Sequence, residues 1–347
     1  MLKRIVFVTA VLLALVVITV PVLAGTGQQV EPGALGMIGF FVVGLVANAS
    51  TIAALQKNFQ ALFRSAYEEY ETTWPRVAME APSEGAEENY QWLGDVPSIK
   101  EWIDSKTLEQ LRGFQYTIRN KDWEGTITVD RNDIEDDRLG IYRPRIIELG
   151  QEAKRHPEEL VSTTRRAGVT ELCYDGQFFY DTDHVIGKSG TLSNKLTGTG
   201  ATLAQVKVDF TVARKTLRNF KNDQGKPFIR RAGKLALLCT IPADLEGVFE
   251  ELANATLISN TTNVLKGAFD YQIDPYLTDA NDWYLDYIGA PIKPFVFQNR
   301  KRPDFVALDN PNTTESVFMR KKLAYGVEAR YNAGYGFWQY SILTTNT

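Results

Sequence analysis

The chain has 347 residues, a formal net charge of −4, and ordinary fractions of apolar (44%) and charged (23%) residues. These values exclude a disordered or fibrous protein, and the acidic balance argues against a general nucleic-acid coat held by bulk charge. Single cores stop growing at roughly 250–300 residues, so the length allows two or three compact units. Two cysteines, Cys173 and Cys239, give no disulfide framework and lie in apolar runs that predict burial.

Residues 1–48 form an apolar N-terminal extension with three competing interpretations. Lys3 and Arg4 precede an uncharged run from Ile5 to Ala24, and Ala24 is followed by a glycine in an acceptable signal-peptidase site. The run is also about long enough to span a bilayer. A signal peptide, a membrane anchor and a start codon placed too far upstream are therefore all open, and composition by itself favours the first two.

The segment 49–112 predicts a helix followed by an extended arm. Apolar residues recur at intervals of three and four in "STIAALQKNFQALFRSAYEEYE", which is typical of one buried helical face. The residues of that face are Ile52, Leu55, Phe59, Leu62, Ala66 and Tyr70. Prolines and a glycine in 74–95 indicate a loosely structured extended segment, and "SIKEWIDSKTLEQLRG" indicates a short helix.

The segment 113–140 predicts a long two-stranded hairpin. Tyr116 and Ile118 alternate with polar residues on one predicted strand, Ile127 and Val129 do so on the other, and "RNKD" between them has turn chemistry. An isolated hairpin is marginal in water, so we expect this one to lie on another subunit. The four apolar residues are therefore candidate assembly contacts.

The rest of the chain predicts a mixed α+β architecture. A helix is expected from Arg143 to Gly168, which Pro157 must kink or split. The dipeptide Asp175–Gly176 between strand-forming residues predicts a hairpin. Beyond a linker at 187–201, helices and buried strands alternate, and the C-terminal part is aromatic and rich in strands.

The stretch "ELCYDGQFFYDTDHVIGKSG", residues 171–190, is the strongest candidate for chemistry. It contains one of the two cysteines, one of the two histidines and three aspartates: Cys173, His184, Asp175, Asp181 and Asp183. A histidine-based zinc site needs three or four convergent ligands, and His156 is the sole other imidazole. A magnesium site at Asp181 and Asp183 stays open, but the favoured interpretation is a solvated strand end without metal.

Other motifs give no catalytic, cofactor or metal site. The run "DRNDIEDD", residues 130–137, has Ile134 and Glu135 where a calcium loop needs a ligand and a glycine, so it predicts a charged hinge. No nucleophile elbow is present. A basic stretch could meet phosphates, although a solvated helix face is the favoured interpretation. Its residues are Arg214, Lys215, Arg218, Lys221, Lys226, Arg230, Arg231 and Lys234.

Six motifs, in this order, resemble the Mu-like phage major head subunit family: "YQWLGDVPSIKEW", "YTIRNKDWEGTITVDRNDIEDDRLGIY", "HPEELV", "LCYDGQFFYDTDH", "KPFVFQNRKRPDFVA" and "YNAGYGFWQ". The resemblance runs from about Ser50 to the C-terminus. It implies the Hong Kong 97-type phage capsid fold. By position, 49–112 is then the N-terminal arm, 113–140 the extended hairpin loop, 141–195 the peripheral domain with its spine helix, 196–290 the axial domain, and 291–347 the C-terminal strands returning to the peripheral domain.

The resemblance also implies a function. The chain would be a non-enzymatic major capsid protein, without cofactor or small-molecule substrate, that assembles in the bacterial cytoplasm into an icosahedral shell around double-stranded DNA. Its partners would be its own copies, as hexamers and pentamers, with scaffold, protease and portal proteins. A subunit assembled in the cytoplasm should not be exported, so the upstream-start interpretation of 1–48 becomes the favoured one.

Two other functions stay open at this point. One is a membrane-anchored or secreted protein, with a metal-dependent hydrolase site in "DTDH" as its chemistry. The other is a related nanocompartment that encloses protein cargo in place of DNA.

Overall fold

The computed structural model describes residues 49–90, 116–136, 139–309 and 321–346. The apolar extension 1–48 and the predicted short helix at 98–113 lie outside the described residues. The helices are α1 (Ala49–Glu69), α2 (Arg131–Glu135), α3 (Arg143–Ala167), α4 (Leu203–Asn219) and α5 (Glu246–Asn254), with 3-10 turns at Trp74–Arg76, Leu139–Ile141, Ala243–Leu245 and Trp338–Tyr340. None of the helices in these ranges combines the length and apolar character that crossing a bilayer requires.

The first sheet has four strands in the order β1-β13-β14-β4. Their bounds are β1 (Ala78–Pro82), β4 (Lys121–Asp130), β13 (Phe295–Leu308) and β14 (Lys322–Tyr335). β1 runs parallel to β13, and the other pairs are antiparallel. The register of β13 against β14 is irregular between Asn299 and Asp304, where Pro303 lacks the N–H that a sheet hydrogen bond requires.

The distal half of this sheet, beyond the irregularity in β13, carries a core made with α1 and α3. Four of the six predicted face residues of α1 are buried there, namely Ile52, Leu55, Phe59 and Ala66. Phe63 is buried as well, and its ring lies tilted against that of Phe305, with 5.6 Å between the centroids. The predicted amphipathic helix is therefore confirmed, and its apolar face is covered within the subunit.

The second sheet has five strands in the order β11-β8-β12-β15-β7. Their bounds are β7 (Lys195–Thr197), β8 (Leu237–Ile241), β11 (Asp270–Ile273), β12 (Trp283–Tyr287) and β15 (Ser341–Thr345). Every residue of β8 and β12 is buried, as their apolar runs predict. The C-terminal segment 291–347 is shared between both sheets, because β15 lies between β12 and β7 while β13 and β14 belong to the first sheet.

Short strand pairs complete the described architecture. β2 (Glu87–Asn89) pairs with β3 (Thr117–Arg119), β5 (His184–Val185) with β6 (Thr191–Leu192), and β9 (Leu257–Ile258) with β10 (Thr261–Thr262). The predicted loose arm over 74–95 is wrong for its described part, because β1 and β2 within it are paired strands.

The predicted hairpin at 113–140 is also wrong in its pairing. β3 pairs with β2, and β4 pairs along its whole length with β14. Between them, Asn120 is buried and donates from its side chain to the Gly85 carbonyl at 2.9 Å, so the chain turns inward at this point. Period-two alternation shows which face each residue occupies, but it does not identify the partner strand.

The long helix α3 begins as predicted, with Pro144 in its first turn, and runs 25 residues to Ala167. Pro157 lies inside this helix without splitting it, so the predicted split is wrong. On its C-terminal side, Arg165 is fully buried and its Nη2 lies 2.8 Å from Oδ2 of Asp286 on β12. An ion pair therefore ties the helix of the first sheet to the centre of the second.

Candidate functional site

The stretch 171–190 forms a tight turn, as predicted. The Cys173 amide donates to the Gln177 carbonyl at 2.8 Å, and Leu172 forms an antiparallel bridge with Phe178. Gly176 has a φ of +85°, a conformation that glycine adopts without strain. The two flanking segments pair through this bridge without forming full strands, so the turn chemistry predicted the local fold better than the strand propensities did.

His184, however, is not at a solvated strand end. Its side chain is fully buried, its Nδ1 lies 2.8 Å from Oδ2 of Asp175, and its Nε2 lies 3.2 Å from Oδ1 of Asn194. The imidazole stacks on the Trp338 indole at 3.9 Å with an interplanar angle of 11°. The interpretation of this residue as solvent-exposed is wrong, because the turn folds back under the C-terminal aromatic residues.

Hydrogen bonds fix the groups that surround the ring. The Asn194 amide is oriented by its Nδ2, which donates to the Phe179 carbonyl at 2.7 Å, and by its Oδ1, which accepts from the Asp181 amide at 2.9 Å. Both nitrogens of His184 therefore face acceptors, an amide oxygen and a carboxylate. Burial on its own would raise the pKa of Asp175, but hydrogen bonds from His184 and Cys173 hold it below its usual value.

Cys173, Asp175 and His184 form what we call the His184 cluster. Among the described residues it is the group of three potential metal ligands in which one atom from each lies within 4.8 Å of the others. The Cys173 thiol donates to Oδ1 of Asp175 at 3.0 Å, and burial raises the thiol pKa, so it stays protonated. Asp175 is hydrogen-bonded to both Cys173 and His184, and Asn194 lies at the other ring nitrogen. This arrangement fits a structural tether better than a tetrahedral zinc site.

The other candidate residues of the sequence are not part of the His184 cluster. Asp183 is exposed and Asp181 is partly exposed, so the predicted "DTDH" pair is not drawn into the buried group. His156 instead bonds through Nδ1 to the Tyr331 hydroxyl at 2.8 Å and lies against the Trp123 ring. Asn194 and Trp338, which complete the cluster, were missed because a lone asparagine and a lone tryptophan carry no sequence signal for such a contact.

The four candidate assembly contacts are packed within the subunit. Ile118 and Val129 are buried, 3% and 0% exposed. Ile127 is half-buried, and the Tyr116 hydroxyl accepts from the Tyr335 amide at 3.0 Å. Their contribution to subunit contacts stays a prediction, but their first role is in the subunit's own cores.

Half of the basic stretch, namely Arg214, Lys215, Arg218 and Lys234, lines a concave surface of about 680 Å³, here called the basic pocket. It lies between the second half of α4, the approach to β8 and the loop before β11. Five cations and no carboxylate line it. The lining residues are Thr211, Arg214, Lys215, Arg218, Asn219, Lys234, Leu235, Leu237, Val264, Lys266 and Ala268.

The fold and these sites define a class of protein. Two sheets, with a long helix that packs on the first and is tied to the second by an ion pair, match the Hong Kong 97-type phage capsid subunits among solved structures. The procapsid of bacteriophage JBD30 superposes with a TM-score of 0.54 and 29% identity, over 86% of this chain and 76% of that one. A virus-like particle from Pyrococcus furiosus shares the fold at a TM-score of 0.50 and 9% identity, over 83% of this chain and 98% of that one.

The sequence comparisons identify the family within that class. The family model described as Mu-like prophage major head subunit gpT matches residues 52–209 and 278–347. The Mu-like prophage FluMu major head subunit of Haemophilus influenzae is 30% identical over 83% of this chain and 71% of its own length. The major capsid protein of Escherichia phage Mu is 27% identical over 86% and 74%. The chain belongs to the Mu-like major head subunit family, as its motifs predicted.

Proposed function

We propose that this major head subunit closes, as hexamers and pentamers of its own copies, into an icosahedral shell around double-stranded DNA. The observation that carries the proposal is the family match across both sheets, residues 52–209 and 278–347. Scaffold, protease and portal proteins are the partners we expect during assembly in the host cytoplasm. The chain acts in this proposal as a structural protein, without catalysis or a cofactor.

The surfaces of the first sheet support assembly. β1 and β4 are its edge strands, and β4 is ten residues long with alternately exposed side chains. An edge strand offers unpaired N–H and C=O groups, and a neighbouring copy is the partner that a shell supplies for them. The exposed face of β4 is therefore a further candidate contact surface, beside the predicted contacts at Tyr116, Ile118, Ile127 and Val129.

The alternative of a membrane-anchored or secreted metal-dependent hydrolase is not favoured. The "DTDH" aspartates stay outside the His184 cluster, and the cluster itself is closed to substrate by burial. A hydrolase needs a water-accessible metal with an open coordination position.

Negative-stain microscopy and light scattering of the purified full-length chain test the proposal. We expect hollow, megadalton particles of uniform diameter. A small oligomer, or a species that depends on detergent, would contradict it. Nucleic-acid content of particles from infected or induced cells separates a DNA-filled head from a protein-cargo compartment. Intact mass spectrometry of the same particles tests the expectation that residues 1–48 are absent from them.

A further inference from the structure

The basic pocket carries an inference beyond shell formation. All its lining residues lie between positions 211 and 268, in the interval that separates the two ranges matched by the family model. The pocket is therefore built by a part of this chain that the family description does not cover.

The cations around the pocket have no acidic counterpart in the described part of the chain. Arg218 donates to the Gly233 carbonyl at 3.0 Å, Lys234 to the Gly267 carbonyl, and Lys266 to the Thr256 hydroxyl at 2.7 Å. These acceptors are neutral, so the bonds fix the positions of the cations and leave their charges uncompensated. Like charges held around one concavity repel one another, and an anion placed among them relieves that repulsion.

The shape and lining of the pocket indicate the chemistry of the anion. The buried side chains of Leu235 and Leu237 are among its lining residues, so apolar surface lies beside the cations. Arg214, whose guanidinium lies 5.7 Å from the Phe210 ring centroid, adds a planar fork that suits phosphate oxygens. Asn219, also in the lining, adds a neutral amide donor.

We infer that the basic pocket is a phosphate-binding site, and that the phosphates come from the backbone of the packaged DNA. The DNA source rests on the proposed function, whereas the phosphate chemistry rests on the pocket. The net charge of −4 makes the bulk attraction of the subunit to DNA weak. A local cationic site therefore confines the contact with DNA to one face of the subunit.

The test compares a pocket variant with a matched control. The pocket variant is Arg214→Gln/Lys215→Gln/Arg218→Gln, and the control is Arg230→Gln/Arg231→Gln, which neutralises exposed cations outside the pocket lining. Circular dichroism verifies that both fold. Fluorescence anisotropy with a short blunt DNA duplex over a salt series, and thermal shift with sodium triphosphate, measure binding by the full-length chain.

We expect the pocket variant to bind the duplex at least about tenfold more weakly at low salt. The slope of log binding constant against log salt concentration should fall in magnitude by about two to three, because each lost phosphate contact removes about 0.9 from it. Triphosphate should stabilise the wild type and the control but not the pocket variant. If the variant loses triphosphate binding alone, the phosphate site stands and a free polyphosphate, not DNA, is its ligand.

Two results would overturn the inference. If the pocket variant and the control lose duplex and triphosphate binding equally, the attraction is a diffuse charge effect and there is no specific site. A pocket variant that binds both probes normally but fails to assemble would show that the pocket meets an acidic surface of a neighbouring copy. Failure of the proposed function is distinct, since a wild-type chain that forms no shell leaves the duplex and triphosphate measurements intact.

Discussion

The two cores of the subunit are built on different principles. The distal core, between α1, α3 and the far ends of β13 and β14, is composed of apolar side chains that include Phe59 and Phe63. The larger core around the second sheet also buries charged groups, with Arg165 and Asp286 each 1% exposed or less. Apolar burial alone stabilises the first, whereas the second depends on partners being present for every charge.

That difference decides how each core tolerates change. A hydrophobic core loses stability in proportion to the surface and volume removed. A buried ion pair is sensitive to the loss of one partner, because the other charge is then left unpaired in a medium of low polarity. Replacing one of these buried charged side chains by an apolar one therefore leaves its partner unpaired and destabilises the second sheet.

The largest expected effect comes from a variant that damages both cores, Ile118→Ser/Val129→Ser. Each change replaces a buried aliphatic side chain, and full burial of one contributes about 1.5–3 kcal/mol. We expect the variant to unfold or to be recovered as insoluble protein, as judged by circular dichroism. A folded, soluble and unassembled variant would instead show that these residues act between subunits, as the sequence alone had predicted.

A smaller but specific effect is expected from Arg165→Met. It leaves Asp286 buried and unpaired beside Ser341, whose hydroxyl donates to it at 2.6 Å, and breaking such a pair costs about 3–5 kcal/mol. Urea unfolding of the full chain measures the loss. The double variant Arg165→Met/Asp286→Leu removes both charges and should recover a large part of it. A double variant as unstable as Arg165→Met would indicate that packing, and not charge, accounts for the loss.

The His184 cluster offers a test of intermediate size. His184→Gln removes the partner of a buried carboxylate and should cost about 1–3 kcal/mol of unfolding free energy. Asp183→Ala is the matched control at an exposed neighbour and should change stability little. Elemental analysis of the wild type belongs to the same experiment, since one transition-metal ion per subunit that is lost in His184→Gln would make the cluster a metal site.

The same cluster predicts a pH dependence in acid. The pKa of Asp175 is lowered in the folded chain, so its contribution to stability is present above the ordinary carboxyl value of 3.8 and is lost as the pH falls through the lower folded value. Unfolding free energies of wild type and Asp175→Asn should therefore converge below about pH 4. Curves that stay parallel as the pH falls well below that value would show that Asp175 is not stabilised as a carboxylate.

The smallest effect is expected at an exposed ion pair. Lys301 and Glu328 lie 3.1 Å apart on β13 and β14, with side chains 45% and 59% exposed. Solvent screening limits such a pair to about 0–1 kcal/mol. Lys301→Ala should therefore leave the urea midpoint nearly unchanged. A loss of unfolding free energy as large as that of Arg165→Met would show that buried and surface ion pairs contribute equally to stability.

The sequence predicted single elements well and their partners poorly. The apolar spacing of α1 and the buried run of β8 follow from local periodicity, which the neighbouring residues determine. The pairing of β4 with β14 joins segments nearly two hundred residues apart, and alternation in β4 is compatible with any partner strand. The family resemblance supplied the architecture that periodicity could not.

The His184 cluster illustrates the same limit at the level of a site. Its ligand-type residues were all recognised in the stretch 171–190, yet their burial was not, because the covering group, Trp338, is donated by the far end of the chain. A polar stretch with strand-forming aromatic residues is equally typical of an exposed hairpin. Burial was a property of the tertiary fold and had no local signal.

The position of β15 determines when, during synthesis, the second sheet can form. Ser341–Thr345 follows all the other described strands in sequence, yet it lies inside the second sheet between β12 and β7. During synthesis the N-terminal parts emerge first, so β7 stays separate from β12 until residues 341–345 have left the ribosome. A chain that lacks those residues loses the strand that joins β7 to the rest of the second sheet, so this sheet cannot form in full.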